Sequence, residues 1–152
     1  MPRNRMIKTE FSEKEFIGFF FGEGHLDLIK IGRTTRSLTP RARIALRDDD
    51  VAVLEWIKDY FGGYFTHRTK FKNGGCPATC WTLSGKSKME KLISVLKKGK
   101  MPSKKMLEVD IIEEALTLVP IRGKHQTDEN VEILQNLKSE LIFLRKYKYA
   151  QK

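Results

Sequence analysis

A chain of 152 residues suits one domain, residues 1–152, with a real core, and its 29 lysines and arginines against 19 acids leave it at +10, the balance of a protein with a polyanionic partner. No apolar run approaches the ~18 residues of a membrane span and the N-terminus carries no signal-peptide apolar stretch, so a soluble intracellular protein without membrane contact is expected. Cys76 and Cys80 are the only cysteines and His25, His67 and His125 are scattered, which argues against a disulfide framework and leaves a zinc site short of ligands.

Ser12 and Glu15 have capping-box spacing, and Phe11 with Phe16 the spacing of a hydrophobic staple, so a helix is expected from about Ser12 to Gly22 or Glu23. Inside it Gly18 and Gly22 stand four apart and share a face. They leave a smooth groove along which another backbone can approach. Glu23 falls at the negative end of the helix dipole. If a second copy packs along the groove, two Glu23 carboxylates meet, and like charges that close call for a divalent metal between them.

After Gly24, Leu26, Leu28, Ile29 and Ile31 suggest a strand whose alternation slips near Lys30, as at a bulge. A turn comes next, over Thr34 to Thr39. Strict alternation then returns to Arg47, with Arg41, Arg43, Ala45 and Arg47 on one face and Ala42, Ile44 and Leu46 on the other. Asp48 to Asp50 cap a helix with the stripe Val51, Leu54, Ile57 and Phe61, ended by Gly62 and Gly63. Two further strands, about Tyr64 to Lys72 and Ala78 to Leu83, are joined at Asn73-Gly74-Gly75. Thr66, Arg68, Lys70 and Lys72 share a face of the first. Ser87 with Glu90 reads as a second capping box, opening a helix with Met89, Leu92, Ile93 and Leu96 inside and Gly99 at its close. Ser103 caps a helix carrying Leu107, Ile111, Ala115 and Leu118, stopped at Pro120, and Thr127 opens a last one through Val131, Leu134, Leu137, Leu141 and Leu144. The fold class is α+β: helix, hairpin, helix, hairpin, helix, then two more helices. The two hairpins together make a four-stranded sheet with one basic face.

The segment Phe16-Ile17-Gly18-Phe19-Phe20-Phe21-Gly22-Glu23-Gly24 resembles the LAGLIDADG motif of homing endonucleases. Phe16 to Phe20 fall on its first five letters, Gly22 on its small residue, Glu23 on its second acid and Gly24 on its final glycine. Phe21 stands where the motif has its first acid. The resemblance implies the α-β-β-α-β-β-α core of that family, with a four-stranded antiparallel DNA-binding sheet and C-terminal helices. It also implies a host setting in the cytoplasm of an archaeon or bacterium, or in an organelle. With one copy of the motif in the chain, it implies a homodimer packed motif helix on motif helix, with Gly18, Phe19 and Gly22 at the interface.

The function that the resemblance implies is a site-specific double-strand DNA endonuclease of the intron-homing type, acting on a long, roughly palindromic target. The alternative is a catalytically weak or inactive relative serving as an intron RNA maturase or a DNA-binding regulator. The resemblance makes Glu23, with the Gly22 backbone oxygen, the metal ligand set. Mg²⁺ is the expected cofactor, with Mn²⁺ or Ca²⁺ able to substitute in binding. The family places a basic or amide residue at the inner end of the second strand, which by register is Arg47. It also places a lysine before the helix after the second hairpin, for which Lys100 is the first choice and Lys104 the second.

Base edges in the major groove fall to Arg41, Arg43, Arg68 and Lys70, with Thr39, Thr66 and Thr82 beside them, since arginine donates bidentately to guanine and threonine serves either base type. Phosphate contact without readout is the other role open to each. Lys30, Arg33, Arg36 and Lys72 extend the basic run over the same strands and turns. His25 and Asp27, on the first strand, either face DNA or, for His25, serve a structural hydrogen bond. A basic ribosome-associated protein would account for the charge, but not for a Gly18/Gly22 helix ending in Glu23.

Overall fold

The computed structural model describes residues 11–30, 37–47, 51–68, 78–99, 104–120 and 126–150. In chain order these form α1 (Glu13–Glu23), β1 (Gly24–Lys30), β2 (Leu38–Arg47), α2 (Val51–Phe61), β3 (Tyr64–Arg68), β4 (Ala78–Ser84), α3 (Lys86–Leu96), α4 (Lys104–Leu118) and α5 (Asp128–Ala150). The four strands make an antiparallel sheet in the order β1-β2-β4-β3, so β1 and β3 are its edges. Among the described residues no helix is long and apolar enough to cross a membrane.

The described residues divide into two compact units, one within Met1–His25 and Ala42–Leu83, the other within Leu26–Arg41 and Ser84–Lys152. The first is built on aromatic packing between two helices. The Ser12 N–H donates to Glu15 Oε2 at 3.1 Å and starts α1, which then buries Phe16 and Phe20 completely. Phe16 meets Phe61 of α2 with ring centroids 4.8 Å apart, and Trp56 takes the ring of Phe11 at 4.8 Å. Phe11 thus fastens the start of α1 through Trp56 and Phe19, and Phe16 reaches Trp56 from its own side. The Tyr60 hydroxyl donates to Glu13 across the same pair of helices.

Leaving α2, Gly62 and Gly63 adopt φ of 88° and 94°, a region open to glycine at little cost. Gly63 has a second reason to lack a side chain. A Cβ there would lie 2.5 Å from the Thr82 carbonyl oxygen and 2.7 Å from Trp81 Nε1. This close approach lets buried Trp81 donate its indole N–H to the Gly62 carbonyl at 2.8 Å, which satisfies a polar group that burial would otherwise penalise.

The second unit is a helical layer. Met89, Leu92, Ile93 and Leu96 of α3, Val109, Ile112 and Ala115 of α4, and Val131, Leu134, Leu137 and Leu141 of α5 are buried, and α4 packs against both α3 and α5. Two side chains of α5 reach the edge strand. Lys138 Nζ donates to the Leu28 carbonyl at 2.8 Å, and Arg145 donates to the Leu26 carbonyl. At the start of β2, the Gln126 side-chain amide accepts from the Leu38 N–H at 3.3 Å and donates to its carbonyl at 2.8 Å, standing in for a neighbouring strand.

Three expectations need correction. The α3 helix starts at Lys86, with Gly85 at φ 99° as its N-cap. Gly85 turns the chain out of β4 in one residue, so Ser87 lies inside the first turn and Ser87 with Glu90 is not a capping box. The buried face of α4 includes the expected Ile111 and Ala115 but is wider, taking in Val109, Ile112 and Leu116, while Leu107 is 50% exposed, because the helix is flanked on two sides. No slip occurs in β1 up to Lys30: Gly24, Leu26 and Leu28 are buried in strict alternation and Ile29 takes the opposite face. Ile31, Asp48 to Asp50, the Asn73-Gly74-Gly75 turn and Ser103 lie outside the described residues. Thr127 caps α5 as expected, its hydroxyl accepting from the Asn130 N–H at 3.2 Å.

Candidate nucleic-acid interface

The C-terminal end of α1 is the chemically distinctive point of the first unit. Glu23 is the last helical residue and is exposed, and no basic residue sits in the last turn. Gly24 then donates its N–H back to Phe20 and enters β1 as extended backbone, with φ −78° and ψ 150°. A Cβ at Gly24 would collide with the Phe20 ring at 2.5 Å. Glycine here lets the strand leave the helix at once, so Glu23 stands at the junction of helix and sheet.

Gly18 and Gly22 differ from Gly24. Both are exposed, and among the described residues nothing lies within 4 Å of a Cβ added at either. Packing among the described residues therefore does not need these glycines, although each costs a helix about 0.5–1 kcal/mol relative to alanine. Phe19, beside them, is half-buried with its ring edge-on to Phe11 at 6.2 Å. Among the described residues no three His, Cys, Asp or Glu side chains gather into a metal-binding group. Glu23 is thus a single hard-oxygen donor in one chain.

The strands carry their polar residues as their alternation dictates. On β2, Leu38, Pro40, Ala42 and Ile44 are buried, while Thr39, Arg41 and Arg43 are half-buried and Arg47 is exposed at the strand's end. Arg41 Nε is buried and has no hydrogen-bond partner among the described residues. A desolvated guanidinium donor without an acceptor is costly, and a phosphate or base oxygen is the kind of group that satisfies it. On β3, Thr66 is exposed and pairs in register with Cys80 of β4, and Arg68 with Ala78. Thr82 keeps the expected phase but is only 4% exposed, so it is covered in the single chain.

Sequence reasoning passed over Tyr64. It pairs with Thr82, shares the period-two phase of Thr66, and is 54% exposed. Extending the alternation two residues back from Thr66 finds it.

On β1, His25 and Asp27 are half-buried and Lys30 is exposed. Asp27 already has partners: its Oδ1 accepts the Leu28 N–H at 2.8 Å and lies 3.9 Å from Arg145 Nη1. Arg145 also stands 3.6 Å from Glu108, a carboxylate only 8% exposed that Lys105 approaches at 3.4 Å. Lys104 is the first residue of α4 and half-buried. Arg33, Arg36, Lys70, Lys72 and Lys100 lie outside the described residues.

Known proteins share this fold. A family model described as LAGLIDADG endonuclease matches residues 16–116. Among solved structures, the homing endonuclease I-TnaI is 21% identical with a TM-score of 0.68, over 86% of this chain and 87% of that one. The archaeal intron-encoded homing endonuclease I-Vdi141I, complexed with DNA, is 24% identical with a TM-score of 0.68, over 87% of this chain and 82% of that one. The LAGLIDADG meganuclease I-AabMI, bound to uncleaved DNA, is 25% identical with a TM-score of 0.65, covering 84% of this chain but 44% of that longer one. No curated protein matches.

Proposed function

The chain belongs to the LAGLIDADG endonuclease family, and from that premise we propose that it is a homodimeric, divalent-metal-dependent endonuclease of the intron-homing type that makes double-strand breaks at a roughly palindromic DNA site. The observation that carries this reading is the open Gly18/Gly22 face ending in an exposed Glu23. Two glycines against which no described residue packs make sense if a second α1 lies against them, and that contact brings a second Glu23 to the first.

The donors at this helix end fit a hard cation. Glu23 offers a carboxylate, and the last carbonyls of a helix, Gly22's among them, have no intrahelical partner. Oxygen donors of this kind suit Mg²⁺. When bound, such an ion supplies Lewis acidity and a water of lowered pKa. The remaining tasks fall to the chain's own side chains. Arg47, exposed at the end of β2, and Lys104 or Lys100 neutralise charge on the scissile phosphate. Arg41, Arg43, Arg68, Thr39 and Thr66 hold the duplex against the sheet, with Tyr64 beside them. Arg41 gains most, because its Nε already stands desolvated with no partner among the described residues.

The test is Glu23→Gln, assayed on a randomised duplex library with Mg²⁺ and sequencing of cut ends. The amide loses the charge that holds the metal and leaves the basic sheet intact, so target binding is expected to persist while cleavage disappears. Undiminished cutting by this variant would remove Glu23 from the metal site.

A further inference from the structure

We propose that the groove between α4 and α5 is a docking surface for a basic amphipathic helix of a partner protein. Its walls are Leu107, Phe143 and Leu144 with Asp110, Glu114 and Glu140, around an open volume of about 620 Å³. Leu107 is 50% exposed, Phe143 65%, and neighbouring Ile142 42%. Large apolar side chains gathered at one surface mark interaction sites more often than chance exposure does. The two helices pack together and bury Val109, Ile112, Leu134, Leu137 and Leu141, residues that lie outside the groove's walls.

Charge identifies the occupant. The chain as a whole is +10, with 29 cations against 19 acids, yet among the described residues three carboxylates and no lysine or arginine line this groove. A phosphate backbone is repelled here, which separates this surface from the arginine-bearing strands. A helix with apolar residues at i, i+3 or i+4 and i+7, flanked by lysines or arginines, matches both the floor and the rim. A second copy offers no such helix among the described residues. Its basic helix α3 already buries Met89, Leu92, Ile93 and Leu96 in its own core.

The experiment uses the full chain and a fluorescein-labelled leucine–lysine helical peptide about 18 residues long, with a control in which glutamate replaces every lysine, read by anisotropy at physiological salt. The +10 chain repels a basic peptide in general, so only a local acidic site can capture it. The expected result is micromolar binding of the lysine peptide and none of the control. Phe143→Ser and, separately, Glu140→Lys each weaken binding about tenfold or more. Both positions are exposed, and circular dichroism checks that each variant is folded.

Equal binding of the control peptide, or wild-type affinity in both variants, overturns the proposal. So does labelled RNA whose binding is lost with Phe143→Ser, or a sedimenting mass that falls with that substitution, which would make a second copy the occupant. DNA cleavage is expected to be unchanged in both variants, so the fate of this surface is read independently of the nuclease.

Discussion

Replacing Gly18 by alanine separates what the lone chain needs from what its assembly needs. Among the described residues nothing stands within 4 Å of the added methyl, and Gly18 lies in the middle of α1 with ordinary helical backbone. The isolated subunit therefore gains the full propensity difference, about 0.8–1.0 kcal/mol. In a chain of this size that raises Tm by roughly 2–4 °C. Where two helices face each other across the same groove, the symmetric pair of methyls has to be accommodated at close range, and overpacking of this sort costs about 1–3 kcal/mol. That weakens dimerisation roughly tenfold to a hundredfold. The assay is urea unfolding of wild type and variant at two protein concentrations, one well below and one well above the dimer dissociation constant, with sedimentation alongside. Alanine should stabilise in the dilute samples and lose that advantage in the concentrated ones. A variant less stable than wild type when dilute would falsify the claim that the Gly18 face is open within the chain. A dimer of unchanged affinity would remove Gly18 from the interface.

Other expectations are more local. Gly24→Ala puts a methyl 2.5 Å from the ring of fully buried Phe20 and should cost about 1–3 kcal/mol; an unchanged urea midpoint refutes the contact. Arg145→Ala removes a partner from Glu108 and from Asp27 and should destabilise by about 1–3 kcal/mol, part of which Glu108→Gln restores in the double variant; if it restores nothing, the carboxylate was not what suffered. DNA affinity should fall with salt at a log–log slope on the order of −6 to −10 for two subunits, and a slope near zero contradicts a basic binding surface.

Much of the fold could be read locally. Ser12 with Glu15, the double glycine after Phe61 and Thr127 act within one helical turn, and the Thr39 to Arg47 alternation is a property of the strand itself. The motif helix was legible because two glycines four apart break an aromatic run just before a carboxylate. What escaped depends on distant partners. Asp27 looks available for a ligand until Arg145, far along the chain, is seen beside it. Thr82 has the predicted phase, but burial is set by neighbours that period-two reasoning does not see. Ser87 and Glu90 have the spacing of a cap, yet the helix begins where β4 ends and Gly85 turns, a boundary that only the paired strand determines. Leu107 fits a helical stripe by spacing but lies outside the buried arc, because α4 has two neighbours rather than one.

The cationic side chains of α5 on the edge of β1 decide how copies of this chain can meet. An edge strand is an invitation for a foreign strand to add itself, and here Lys138 and Arg145 already occupy the Leu28 and Leu26 carbonyls that a newcomer would pair with. The sheet therefore terminates itself on that side, and continuous sheets spanning two molecules through β1 are blocked. Crowded or partly loosened molecules are steered away from strand-by-strand aggregation at this edge, while the glycine face of α1 stays open for an ordered helix pair.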